Sequence, residues 1–186
     1  MKKFNLVFGL VVVGLLMSSC VMLRGGANFA SERSKFDSPG FDSDLTDATK
    51  RLATTSTSSE TGFYIGLAFQ DEFLDLSEDF SIQPEVNFVA IKDLNQIQVP
   101  VLGRYNFAEG FNAYAGPNLS FLLDTPDGIK SFNFSLDAGL SYDISDDFFI
   151  EARYNYGLSN LLENAPSDFS VKLSNFQVGV AYRFGE

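Results

Sequence analysis

Seven charged side chains sit at alternating positions in segments otherwise rich in apolar and aromatic residues: Arg24, Glu85, Arg104, Asp137, Glu151, Arg153 and Arg183. Guanidinium and carboxylate groups placed this way have two main uses. They pair with one another, since an unpaired buried charge is costly, or they exchange partners along a gated polar path. A paired-carboxylate acid–base site stays open as a third use, although no two acids are singled out. Composition excludes much else. The chain has no His, which removes Ser-His-Asp and Cys-His nucleophile pairs and the commonest metal ligand. One Cys, Cys20, rules out an internal disulfide and a Cys-cluster zinc site. No catalytic residue, metal or cofactor is therefore expected, and the chain reads as a non-enzyme. Lys and Arg number 13 against 24 Asp and Glu, so the net charge of −11 argues against a nucleic-acid partner.

What must position those charges is a set of strands. A chain of 186 residues allows one domain, and 20 Phe, 7 Tyr and 15 Gly suggest many short β-strands. Period-2 alternation appears in Phe63–Phe69, Phe80–Phe88, Ile97–Asn106, Phe111–Phe121, Phe132–Ile144, Phe148–Tyr156 and Phe176–Phe184. In the cleanest case Phe132, Phe134, Leu136, Ala138, Leu140, Tyr142 and Ile144 face one way. Asn133, Ser135, Asp137, Gly139, Ser141 and Asp143 face the other. An eighth, glycine-diluted strand is expected at Leu23–Phe29, alternating with Arg24, Gly26 and Asn28. Eight antiparallel strands close into an all-β, up-and-down barrel with no exposed edge.

The N-terminus reads as an address. Lys2 and Lys3 precede Leu6 to Met17, an apolar stretch of 12 residues, too short to span a bilayer and suited to a signal-peptide core. Residues 1–19 are thus expected to be removed, and residues 20–186 to form the barrel. Met17-Ser-Ser-Cys20 resembles a bacterial lipobox, which makes Cys20 a candidate lipidation site; ordinary cleavage nearby is the alternative. Removing Met1 to Ser19 takes two lysines and no acid, moving −11 to about −13.

Connections alternate in length. Leu76–Asp79, Ala108–Gly110 and Ser145–Asp147 read as tight turns. Residues 31–61, with 13 Ser or Thr, 6 acids and 4 bases, read as a long, polar, mobile extracellular loop. Residues 124–131 and 163–171 make further loops on that rim, while Lys92–Asn95 is short and breaks the trend. Short turns on one rim and long loops on the other match outer-membrane barrels.

Which face points inward separates a soluble, lipocalin-like barrel from a membrane barrel. Aromatics near strand ends, such as Phe63, Phe80, Phe107, Phe111, Phe132, Phe148 and Phe184, match interfacial girdles. The opposite face mixes acids, arginines and glycines, as a small packed lumen would. The sequence also nearly ends on Gln177-Val-Gly179-Val-Ala-Tyr182-Arg-Phe184, followed by Gly185 and Glu186, which looks like the signal by which assembly machinery captures a last strand. Gly179, Tyr182 and Phe184 carry that pattern. The apolar face is expected to meet lipid.

With these residues in view, the sequence resembles the small OmpA-like porin-family barrels, especially the PorT-like outer-membrane β-barrel domain. The resemblance covers about Gly62 to Phe184. It rests on Phe80-Ser-Ile-Gln-Pro-Glu85, Ile97-Gln-Val-Pro100-Val-Leu, Ala113-Tyr-Ala-Gly-Pro117, Glu151-Ala-Arg-Tyr-Asn-Tyr-Gly157 and Tyr182-Arg-Phe184. It implies an eight-stranded transmembrane barrel in the outer membrane of a Gram-negative cell, with both termini periplasmic. The partners implied are outer-membrane lipid, the barrel assembly machinery and a surface or periplasmic protein. A structural or surface-interaction role leads. Transport, secretion or assembly work is the first alternative, and a lipid-anchored soluble barrel binding an apolar ligand is the second. Within the lumen, antiparallel neighbours are expected to bring Glu85 to Arg104, Asp137 to Arg153 and Glu151 to Arg183, with Arg24 closing the network.

Overall fold

The computed structural model describes residues 21–36, 54–69, 76–92, 94–123, 125, 128–162 and 169–184. Eight strands follow one another: β1 Val21–Phe36, β2 Thr54–Phe69, β3 Phe80–Ala90, β4 Gln96–Ala108, β5 Phe111–Leu122, β6 Phe132–Asp143, β7 Phe148–Gly157 and β8 Phe169–Phe184. Each pairs antiparallel with the next, and β1 pairs with β8 from Val21↔Phe184 to Phe36↔Phe169. The sheet is a closed eight-stranded barrel, in which each strand pairs with a neighbour on both sides.

Alternation produces this closure because each strand has two unlike faces. On β7, Phe148, Ile150, Ala152, Tyr154 and Tyr156 are exposed while Phe149, Glu151, Arg153, Asn155 and Gly157 are buried. The distribution is the reverse of a water-soluble barrel. Asn28, Gln96, Asn112, Asn118, Asn133 and Asn175 have 0% exposure, whereas Phe63, Leu140 and Val180 have 58, 57 and 56%. An apolar surface of this extent belongs in hydrocarbon, where the closed ladder satisfies every strand's hydrogen bonds. The soluble, lipid-anchored alternative fails on this point, because its apolar face would have to turn inward.

Aromatic pairs mark two belts. Near the short-turn rim the Phe111 ring lies 4.6 Å from Tyr142 and Phe148 4.8 Å from Tyr182, both tilted, and Tyr182 meets Phe184 edge-on at 4.9 Å. Toward the other rim Phe29 meets Phe176 at 6.4 Å and Phe121 meets Phe132 at 5.7 Å. Phe132 and Tyr142 bracket β6. At about 3.3 Å per residue and a strand tilt of about 40°, they stand roughly 25 Å apart along the membrane normal, the height of an outer-membrane apolar band.

The short turns behave as their sequences require. Glu109–Gly110 closes β4 onto β5, and Gly110 takes a φ of 74°, open to glycine at little cost. The turn before β7 is tied by Ser145 Oγ, which accepts from the Phe148 amide at 3.1 Å.

The long-loop rim departs from the sequence reading. Residues 31–36 and 54–61, expected within a loop at 31–61, instead continue the β1–β2 ladder from Ser31↔Ser59 to Phe36↔Thr54. Likewise β8 begins at Phe169, so Val171 lies in a strand rather than a loop. The reasons are chemical and differ between the two. The β1 and β2 extensions are mostly Ser, Thr and charged residues and give no apolar periodicity, yet their backbones still pair. At the start of β8 the apolar residues Val171 and Leu173 lie on the inward face, the reverse of the pattern in the rest of the strand. Sixteen residues of β1 reach about 53 Å, more than a tilted strand needs to cross the apolar band. Residues 1–20, with the expected signal sequence and Cys20, and residues 37–53 lie outside the described residues.

Candidate functional site

The barrel interior is built from the polar faces of all eight strands, and its centre is a charge cluster. Arg24 on β1 contacts Glu85 on β3 through Nη1 and Glu151 on β7 through Nη2. Arg153 Nη1 and Nη2 donate to the two oxygens of Glu85 at 2.6 and 3.0 Å, a bidentate fork, and Nη2 lies 3.6 Å from Glu151 Oε2. Two arginines and two glutamates thus neutralise one another with side chains at most 2% exposed. Neutral groups complete the shell. Gln83 Nε2 and Asn87 Nδ2 donate to Glu85 at 2.6 and 3.1 Å, and the Tyr64 hydroxyl donates to Glu151 at 2.6 Å. The guanidiniums of Arg24 and Arg153 also lie over the rings of Tyr64 and Tyr114, at 5.6 and 5.3 Å.

Every sequence-selected charge reaches the interior, but the pairs differ from those expected. Glu85 meets Arg24 and Arg153, not Arg104; the latter lies opposite Ser81 and donates from Nε to Asn112 at 3.2 Å. Asp137 sits opposite Asn155 and accepts from it and, at 3.2 and 3.1 Å, from Asn118, whereas Arg153 lies opposite Gly139. Glu151 lies opposite Gly179, so Arg183 falls four residues nearer the short-turn rim. There Arg183 Nη2 binds Asp143 Oδ1 at 3.0 Å and Nη1 donates to the Asp146 carbonyl at 2.9 Å. Parity assigns a residue to a face; register assigns its level along the axis, and parity carries no information about that. Asp143, Tyr64, Asn118 and Asn155 belong to the interior network but were not among the selected residues. Their signal was present, since Asp143 and Asn155 share the parity of the charges on β6 and β7, and Tyr64 and Asn118 lie on the inward parity of β2 and β5.

The C-terminal pattern also has a place. Tyr182 and Phe184 point outward in the short-turn aromatic belt. Gly179 is required by close approach, because a Cβ there would stand 2.2 Å from the Tyr64 hydroxyl and 2.4 Å from the Gly25 carbonyl oxygen. Among the described residues no three His, Cys, Asp or Glu side chains are grouped as a metal site needs.

The interior is not polar throughout. Met22, Ala68, Phe149 and Ala181 form a small apolar cluster near the short-turn rim, where Arg183 covers the Phe149 ring at 5.1 Å. A larger one, containing Ala30, Val89, Ile91, Leu122, Leu161 and Leu173, lies toward the long-loop rim. The charged centre is therefore a plug, closed by side chains that fill an eight-stranded interior.

The family model described as "Outer membrane protein beta-barrel domain" matches residues 21–184. The chain belongs to this family. It is an outer-membrane β-barrel of the Gram-negative envelope. Solved structures similar to this barrel include OprG from Pseudomonas aeruginosa, with 14% identity and a TM-score of 0.47 over 89% of this chain and 96% of its own. Neisserial surface protein A has 14% identity and a TM-score of 0.49 over 90% and 98%. Ail of Yersinia pestis, in complex with the heparin analogue sucrose octasulfate, has 15% identity and a TM-score of 0.43 over 87% and 99%. No curated protein sequence matches the chain.

Proposed function

We propose that this barrel is a non-enzymatic envelope protein that acts at its rims, in a structural or surface-interaction role, and does not conduct solutes. The observation that carries this reading is the Arg24–Glu85–Arg153–Glu151 plug. Its groups are buried, mutually neutral and held from three strands, so a water path through the centre would require several ion pairs to break together. The lack of any His in the sequence supports the non-enzymatic part. The long ladder of β1 and β2 extends polar, Ser/Thr-rich backbone beyond the apolar band, a suitable platform for contact with other molecules. In this reading the long-loop rim faces the cell exterior and both termini face the periplasm. Gly179, Tyr182 and Phe184 form part of the strand that the barrel assembly machinery engages, and Cys20 carries the lipid if the lipobox is used.

Planar-bilayer recordings of the refolded barrel test the central claim. No stable conductance step is expected. Reproducible unitary conductance at low voltage would overturn the plugged reading and favour the transport class. Protease access on intact cells tests the orientation, with cleavage expected on the long-loop rim only.

A further inference from the structure

We propose that the long-loop end of the barrel interior is a binding cup for a small, largely apolar molecule. The interior face is polar through the middle of the barrel and then changes character. Ala30, Ile91, Leu122, Leu161, Val171 and Leu173 turn inward at this end, all buried, around an open space of about 340 Å³. These side chains pack as one cluster around that space, and the wall they form is fixed by backbone hydrogen bonds. Lys130 N donates to the Leu161 carbonyl at 2.7 Å, and Leu161 N donates to the Val171 carbonyl at 2.9 Å. Asn160 fixes the same segment: its Oδ1 accepts from the Val171 and Leu162 amides at 3.0 and 3.2 Å, while its Nδ2 donates to the Phe169 carbonyl at 3.1 Å. The result is a wall of leucines with a built position.

Deeper in the interior, below the cup, stands the charged plug. Tyr64 belongs to the apolar cluster, yet its hydroxyl points away to Glu151 in the charged plug. Whatever enters must therefore leave by the same mouth, which makes this a binding site and not a passage. Size and charge narrow the occupant. A dry cavity of about 150 Å³ lined by aliphatic and aromatic side chains accepts benzene. A space of about 340 Å³ accepts a two-ring body. Glu32, Glu60 and Lys92 stand at the mouth with Ser58, two carboxylates against one ammonium. They favour a ligand whose polar end donates a hydrogen bond over one that ends in an anion.

Indole has the required shape and a single N–H donor. The test uses the full barrel in lipid nanodiscs, with labelled Ile, Leu and Val methyl groups followed by NMR during indole titration. Saturable shifts are expected at Ile91, Leu122, Leu161, Val171 and Leu173. The lipid-facing Leu136, Leu140, Val178 and Val180 should shift only in proportion to indole dissolved in the bilayer. Ala30→Phe and, separately, Leu122→Phe should fill the cup and weaken binding tenfold or more, with the remaining methyl spectrum unchanged. If Ala30→Phe does not fold, the milder Leu122→Phe decides. Cup methyls that do not move, that track the lipid-facing methyls without saturating, or that saturate equally in the folded filled variants would each overturn the proposal.

Discussion

The sharpest consequence of the charged plug is a coupling between two residues on strands that do not touch through the ladder. Glu85 on β3 is 1% exposed and accepts from Arg24, Arg153, Gln83 and Asn87. Glu85→Gln keeps the shape but leaves Arg24 and Arg153 facing Glu151 alone, so a neutral cluster gains one positive charge in a dry space. Breaking a buried pair in this way costs about 3–5 kcal/mol. Arg153→Met should cost a similar amount, because it leaves two carboxylates to one guanidinium. The double variant restores neutrality, with Arg24 still paired to Glu151, so its loss should fall short of the sum by about 1–3 kcal/mol. Arg183→Met supplies the contrast. Its side chain is 25% exposed against Asp143, so water screens the pair and the cost should stay below about 1 kcal/mol. Urea unfolding in lipid vesicles, followed by far-ultraviolet circular dichroism, measures all four. Strictly additive losses, or a Glu85→Gln cost no larger than that of Arg183→Met, would show that the centre is wet and the ion pairs are incidental.

Three further outcomes are expected. Leu140→Arg, on the lipid face between the aromatic belts, should lose roughly 2–4 kcal/mol in the same unfolding measurement; unchanged stability would refute the outward assignment of β6. Gly179→Ala should reduce refolding into pure lipid vesicles, because its Cβ meets the Tyr64 hydroxyl and the Gly25 carbonyl; normal refolding there would leave recognition as the only role for that glycine. Tyr182→Ala and Phe184→Ala should refold normally without assembly machinery yet assemble more slowly in cells than Phe132→Ala. Equal cellular yields for all three would show these aromatics to be ordinary lipid-facing surface.

The seven strands from Phe63 to Phe184 were legible because lipid on one side and a polar lumen on the other stamp opposite chemistry on successive residues. Phe134, Leu136, Leu140 and Tyr142 could be read outward, and Asn133, Ser135, Asp137 and Ser141 inward, from parity alone. The ladder beyond Ser31 and before Thr61 was not legible, since both of its faces meet water and no periodicity distinguishes Thr57 from Ser58. The apolar cup was hidden for the opposite reason. Leu122, Val171 and Leu173 lie on the inward parity that the middle of the barrel reserves for polar groups. A reading that sorted faces by polarity alone missed them.

The failed pairings say what the plug does for the fold. A slip of two residues between any two strands keeps every side chain on its own face, so hydropathy alone hardly penalises it. The expected pairs Glu85–Arg104, Asp137–Arg153 and Glu151–Arg183 correspond to slips of four, two and four residues, all even, so all three were wrong in level while right in face. In the structure, Arg24, Glu85 and Arg153 come from β1, β3 and β7, which are not neighbours in the ladder. A slip of two residues moves one of these groups about 7 Å along its strand, beyond the reach of an ion pair, and strands a charge in the interior. The cluster therefore penalises the registers that the lipid face tolerates. A barrel in which all four members are replaced by apolar residues of similar volume should keep its strands and its stability but lose its single register, appearing as multiple cross-strand contacts in NMR spectra. One set of contacts, unchanged from the native barrel, would show that the turns alone determine the level of each strand.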